Sequence, residues 1–256
     1  MSSSDSTKAG LSAFRIQALP PDFYYIPDFI SAEEEASILS KIPAQRWTQL
    51  THRRLQAHPS TLTKNNTLLA SPLPEYLVKP IVSRFRDLGI FDDTPHQQPN
   101  HVLINEYKPG EGIMPHEDGS AYAPVVATVS LGSTLCLEIT SKPRAAGTED
   151  ATNITHDTDI SEAEYSIPTR ILQEPRSLLL TTGDSYGALL HGISPVEVDE
   201  HLDASTVANW SLLTDQQKLV ESGGRNVRET RVSLTYRDVL KVSSAASKVF
   251  GGLTRK

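Results

Sequence analysis

Apolar positions in the first ninety residues fall into separate groups with different spacings. Phe23, Tyr24, Tyr25, Ile26, Phe29 and Ile30 form a run flanked and interrupted by Pro20, Pro21 and Pro27. Proline lacks an amide hydrogen and excludes continuous helix, so an edge strand followed by a turn is predicted. Ser31 stands three residues before Glu34, the spacing at which hydroxyl and carboxylate satisfy each other's helix-start amides. Ile38, Leu39 and Ile42 follow at helical intervals, which predicts a helix over 32–41. Leu77, Ile81, Phe85 and Leu88 step by four, four and three, with Gly89 placed to end the turn. This second helix is kinked or begun afresh at Pro80. Residues 46–56 lie between the helices and show no clean period.

Beyond residue 100 the pattern changes to short runs of β-branched and aliphatic residues. Strands are predicted over 101–107, 125–131, 134–140, 177–182, 186–193 and 230–239. Pro109-Gly110, Gly119, Gly132 and Gly183-Asp184 separate several of them, the signature of an all-β sandwich or barrel. Two insertions interrupt the runs. The first, 141–165, is polar and acidic and reads as a loop; the second, 198–228, carries Leu212, Leu213, Leu219 and Val220 and has room for a short helix.

Composition narrows the class. The chain has 256 residues, 38% of them hydrophobic, enough to bury a core. A net charge of −7 argues against a uniformly basic nucleic-acid binder, yet residues 41–90 hold eight basic side chains against two acidic ones. Cys136 is the single cysteine, which excludes an intramolecular disulfide and both four-cysteine and Cys2His2 zinc sites. No apolar stretch approaches the roughly 20 residues that span a bilayer, and the start is Ser-rich and polar. These features place the expected protein in cytosol and nucleus, away from membranes, as a monomer.

His116 and Asp118 stand two residues apart, so on an extended segment both point to one side and can share a metal. His191, after Ala188-Leu189-Leu190, is the natural third ligand. Two imidazoles and one carboxylate suit a non-haem Fe(II) oxygenase, with zinc the rival metal. The bland alternatives are a solvated turn at Pro115–Gly119 and a packing histidine at a barrel end. Alternation puts Asn105 and Tyr107 on one strand face, and Arg231, Ser233, Thr235 and Arg237 on another. Two guanidiniums on one wall are costly to bury without anions, and carboxylates are their bidentate partners. Pairing with nearby acidic side chains is the competing explanation.

The order Asn105-x-Tyr107-x-x-Gly110, His116-x-Asp118, His191 and Arg231-x5-Arg237 resembles the AlkB family of Fe(II)- and 2-oxoglutarate-dependent dioxygenases. Tyr24-Tyr-Ile-Pro-Asp-Phe-Ile30, Trp47-Thr-Gln-Leu50, Gly110-Glu-Gly-Ile-Met-Pro-His-Glu-Asp-Gly119, Ser130-Leu-Gly132 and Glu174-Pro-Arg-Ser-Leu178 resemble its homologue 6 branch in particular. The resemblance implies a mainly β domain with flanking helices, built as a double-stranded β-helix or jelly roll over 13–240. Residues 41–70 would form a substrate lid, between a disordered tail over 1–12 and a basic tail over 241–256. It further implies Fe(II) on His116, Asp118 and His191, with O2 and 2-oxoglutarate as cosubstrates and no catalytic side chain beyond the metal ligands. Tyr107 and Arg231 would meet the distal carboxylate of 2-oxoglutarate; Asn105 and Arg237 would meet the one nearer the metal. Ser233 stands where several relatives have Asn, and the gap from His191 to Arg231 is longer than in the bacterial founder. The implied activity is oxidative demethylation of N-alkylated bases in RNA or DNA, single-stranded or flipped into the pocket. Trp47, His52, Arg53 and Arg54 would contact that substrate. A protein side-chain hydroxylase or demethylase, a non-catalytic binding module and a zinc-dependent hydrolase are the competing readings.

Overall fold

The structure, a computed structural model, describes residues 10–142, 165–167 and 169–243. Most of the expected N-terminal tail, the body of the first insertion and the C-terminal tail from residue 244 lie outside them. The strands are β1 (Phe23–Ile26), β2 (Thr48–Gln49), β3 (Arg54–His58), β4 (Thr67–Leu69), β5 (His101–Tyr107), β6 (Ile113–His116), β7 (Tyr122–Leu131), β8 (Leu135–Ser141), β9 (Thr169–Gln173), β10 (Leu178–Thr182), β11 (Leu189–Ile193), β12 (Val198–Asp199), β13 (Asn226–Val227), β14 (Arg231–Val239) and β15 (Lys241–Ser243). The helices include α1 (Ala32–Lys41), α2 (Glu75–Val78), α3 (Ile81–Asp87), α4 (Ser185–Ala188) and α5 (Gln216–Glu221).

Seven strands form an antiparallel major sheet in the order β1-β10-β7-β14-β5-β3-β2, and four form an antiparallel minor sheet in the order β6-β11-β8-β9. Pairs β12-β13 and β4-β15 make two small sheets. The expected jelly roll is not formed: the fold is mixed α/β with several antiparallel sheets, and no sheet closes into a barrel. Edge chemistry gives a reason. β2 is only two exposed residues long, Pro20, Pro21 and Pro27 flank β1, and Pro115 within β6 has no amide to donate.

β14 is buried at every position because both of its faces are covered. Val232, Leu234 and Tyr236 point to one side, into a core shared with Ile38 of α1, Leu77 of α2 and Ile81 and Phe85 of α3. The Phe85 and Tyr236 rings meet edge to face at 5.1 Å. A second core joins Tyr107 and Leu179 of the major sheet to Leu135, Ile139, Ile171, Leu189 and Ile193 of the minor sheet. Helices, major sheet and minor sheet thus form successive layers, and the polar face of β14 lies between the two sheets.

Local chemistry explains several boundaries. The α1 start carries the predicted capping box: Glu34 N–H donates to Ser31 Oγ at 3.2 Å, and Ser31 N–H to Glu34 Oε2 at 2.7 Å. Arg84 of α3 then donates to both Glu34 carboxylate oxygens at 2.9 Å, tying the two helices together. Pro80 separates α2 from α3, as its missing amide requires. The second insertion does contain a short helix, α5, and buried Glu174 anchors the segment leading into it. The Glu174 carboxylate accepts from the Tyr25 hydroxyl at 2.9 Å, Thr214 Oγ1 at 2.9 Å and Asp215 N–H at 2.9 Å.

The strand reading differs at several points, two of which bear on the site. Residues 185–188 form a helical turn before β11, because Asp22 accepts from Ser185 N–H at 3.3 Å and from its hydroxyl at 3.1 Å. Residues 54–58, without a visible period, are strand β3, paired with β5.

Candidate active site

β6 and β11 bring two of the predicted ligands together directly, since His116 and His191 are register partners across the ladder. Their rings lie 4.4 Å apart, centroid to centroid. Asp118 follows two residues after His116, and one side-chain donor atom from each of the three lies within 4.8 Å of the others. His116 Nδ1 is 2.9 Å from the Met114 carbonyl. A carbonyl can only accept, so Nδ1 carries the proton and Nε2 keeps its lone pair for a metal. Burial pushes the His191 pKa down to about 4, leaving that ring neutral at pH 7.

The neighbouring wall comes from β5 and β14. Tyr107 is opposite Arg231, Asn105 opposite Ser233 and His101 opposite Arg237. Asn105, Tyr107, Arg231, Ser233, Thr235 and Arg237 all line one cavity of about 300 Å³ together with His116, Asp118 and His191. Arg237 donates to Asp118 Oδ1 and lies 4.9 Å over the Tyr122 ring. Arg231 donates through Nε to Ser130 Oγ at 2.8 Å and through Nη2 to Gln173 Oε1. Burial lowers the Arg231 pKa to about 10, so it stays charged at pH 7. Among the described residues it has no carboxylate partner. Burial also raises the Tyr107 pKa, which keeps the phenol a hydrogen-bond donor.

The four residues expected to contact substrate separate. β3 pairs with β5 so that Leu55 is opposite Asn105 and Arg54 opposite Glu106, which puts Arg54 on the face away from the cavity. There Arg54 pairs with Glu106 at 2.7 Å and lies 4.5 Å over the Trp47 ring, and Trp47 packs on the helix-covered core. Arg53, one residue earlier, lines the cavity and donates through Nε to Asn105 Oδ1 at 3.2 Å. His52 and Arg53 also line an adjoining hollow of about 510 Å³ with Leu50, Met114, Pro115 and Pro195. Ser130 and Gln173 enter the site without having been singled out as site residues from sequence. Each belongs to or adjoins a motif that carries the resemblance, Ser130-Leu-Gly132 and Glu174-Pro-Arg-Ser-Leu178. Tyr186 from α4 also lines the cavity, its hydroxyl donating to the Gly119 carbonyl at 3.1 Å.

Residues 22–237 match the 2OG-Fe(II) oxygenase superfamily. A Danio rerio protein named "Probable RNA/DNA demethylase ALKBH6" is 37% identical over 92% of this chain and 93% of its own length. A protein of Acanthamoeba polyphaga mimivirus is 30% identical over 86% of this chain and 85% of its own. Among solved structures, "The structure of OsALKBH1" shares the fold at a TM-score of 0.50, with 16% identity, covering 86% of this chain and 99% of that one. The register that joins two histidines, an aspartate and a pair of buried arginines in one cavity therefore accompanies relatedness along nearly the whole chain, which belongs to the 2OG-Fe(II) oxygenase superfamily as an AlkB homologue.

Proposed function

We propose that the chain demethylates N-alkylated bases in RNA or DNA, with Fe(II) on His116, Asp118 and His191 and 2-oxoglutarate against the arginine wall. The donor set fits the metal: two imidazoles and a carboxylate are the facial set of non-haem Fe(II) oxygenases. The observation that carries the reading is that Arg231, buried and without a carboxylate of its own, shares the cavity with that donor set. A dicarboxylate that reaches from metal to arginine answers both demands at once. Fe(II) held by His116, Asp118 and His191 would supply, with O2, the oxidation that turns 2-oxoglutarate into succinate and CO2 and hydroxylates a substrate C–H bond.

The protein's own residues bind and aim. Arg231 and Tyr107 receive the distal carboxylate, while Asn105, Ser233 and Arg237 stand on the side toward the metal ligands. Tyr122 and Tyr186 wall the cavity against water. At an N-methyl group the hydroxymethyl product breaks down to formaldehyde and the free base, so no protein base is required. Nucleic acid as substrate is supported by the name of the Danio rerio relative and by His52 and Arg53 beside the cavity, an arginine for phosphate and an imidazole for stacking. Among the described residues no helix is long and apolar enough to cross a membrane. The lone cysteine accords with a cytosolic and nuclear location.

The test is anaerobic titration with Fe(II) and 2-oxoglutarate, followed by assay of single-stranded N-methylated oligonucleotides. A visible charge-transfer band, lost in His116→Ala and Arg231→Ala, and equal yields of succinate and formaldehyde are expected. Absence of the band in folded, metal-loaded protein would overturn the reading.

A further inference from the structure

This inference rests on the dicarboxylate site proposed above and concerns how its arginine is held. Three arginines in the described chain are almost fully buried: Arg228, Arg231 and Arg237. Arg228 is neutralised by Asp199, with Nη2 to Oδ1 at 2.5 Å and Nε to Oδ2 at 3.0 Å, and Arg237 by Asp118. Arg231 differs. Its hydrogen bonds run to two neutral oxygens, Ser130 Oγ from the major sheet and Gln173 Oε1 from the minor sheet. Nε and Nη2 form one flank of the guanidinium fork, so these bonds fix its plane and leave the end of the fork for an anion. Gln173 is itself only 2% exposed, and it lines the same cavity as Arg231 and Tyr107.

We propose that Gln173 is a positioning residue for the cosubstrate's distal carboxylate. Its amide oxygen orients Arg231 from the opposite sheet while adding no charge, so the guanidinium stays uncompensated until a dicarboxylate arrives. A glutamate in its place would complete an internal ion pair and remove the demand for an external anion. An aliphatic side chain would free the fork to rotate.

The experiment compares native protein with Gln173→Glu and Gln173→Met, each loaded with redox-inert Mn(II). Calorimetry follows binding of 2-oxoglutarate and of 2-oxobutyrate, which lacks the distal carboxylate. Gln173→Glu should weaken 2-oxoglutarate binding by about ten- to a hundredfold. Affinities for Mn(II) and 2-oxobutyrate should stay within about threefold of native, a split that a general loss of structure does not produce. Gln173→Met should show a smaller loss of the same kind, and it decides the matter if the glutamate variant does not fold. Unchanged 2-oxoglutarate affinity, or equal losses for both ketoacids and the metal, overturns the inference and leaves the proposed function standing. Native protein that binds Mn(II) and fails to bind 2-oxoglutarate overturns both.

Discussion

Arg237, on the central strand of the major sheet, donates to the carboxylate of Asp118, which is also a candidate metal ligand, and the two side chains are only 8% and 7% exposed. One carboxylate thus lies between a buried guanidinium and two imidazoles. Removing it leaves Arg237 charged, buried and without its partner. Asp118→Ala should cost about 3 kcal/mol of unfolding free energy as well as metal binding. Asp118→Ala combined with Arg237→Met should recover much of that stability and none of the metal affinity. Urea titrations of the single and double variants check this, and additive losses would contradict it.

Gly192 follows His191, and its backbone passes close to the neighbouring edge strand β6. A Cβ added there would lie 2.9 Å from the Pro115 nitrogen. Gly192→Ala should therefore push β6 away from β11 and part His116 from His191 with every ligand residue intact. The expected outcome is a loss of about 1–3 kcal/mol and weaker Mn(II) binding. At Gly187 an added Cβ meets nothing within 4 Å, so Gly187→Ala is the control and should change neither quantity.

His58 supplies a pH dependence away from the site. Burial, with a contribution from Arg46, lowers its pKa to about 4. Arg46 Nη1 donates to its Nδ1 at 3.1 Å, and its Nε2 proton points at Gln56 Oε1, 3.2 Å away. In the unfolded chain the imidazole takes up a proton near its ordinary value of about 6.5. The unfolded state then binds more protons than the folded one between about pH 6.5 and 4, so stability falls as pH drops through that window. The loss approaches about 3 kcal/mol by pH 4. His101 and His191, lowered by burial to about the same value, add to the slope. Unfolding free energies measured at intervals from pH 7 to pH 4 should show it, and His58→Gln should remove only the part that His58 contributes.

Arg53 and Arg54 are neighbours with opposite tasks, because consecutive side chains of an extended segment point to opposite faces. Arg53→Ala should raise KM for a methylated oligonucleotide about tenfold, with little effect on melting. Arg54→Ala should leave kcat/KM unchanged and cost about 1 kcal/mol through Glu106 and Trp47. Steady-state kinetics and urea unfolding of both variants separate the roles, and an exchange of phenotypes would refute the assignment.

Much of this arrangement is legible in local spacing. Ser31 and Glu34 mark the start of α1 because a capping box needs only residues three apart. Pro80 divides α2 from α3 because a missing amide acts wherever it stands. The even spacings of Asn105 with Tyr107 and of Arg231 with Arg237 put each pair on one strand face, and the cavity confirms those faces. His116, Asp118 and His191 stand out by residue type and order. β3 escaped notice because its two buried positions, Gln56 and His58, share one face but are polar, so the strand shows no apolar alternation. Residues 186–188 read as strand because the side chain that turns the chain at Ser185 is Asp22, distant in sequence.

Local spacing and residue order thus determine most of the elements, the polar faces of the strands that line the cavity and which side chains are candidates for a metal and a dicarboxylate. Only tertiary structure decides that the strands remain in open sheets, that Trp47 and Arg54 pack behind the major sheet while Arg53 faces the cavity, and that Gln173 holds Arg231. The physical reason is that these outcomes depend on register and contact between segments far apart in the chain. Arg231 and Gln173 are 58 residues apart and meet only because the sheets pack face to face.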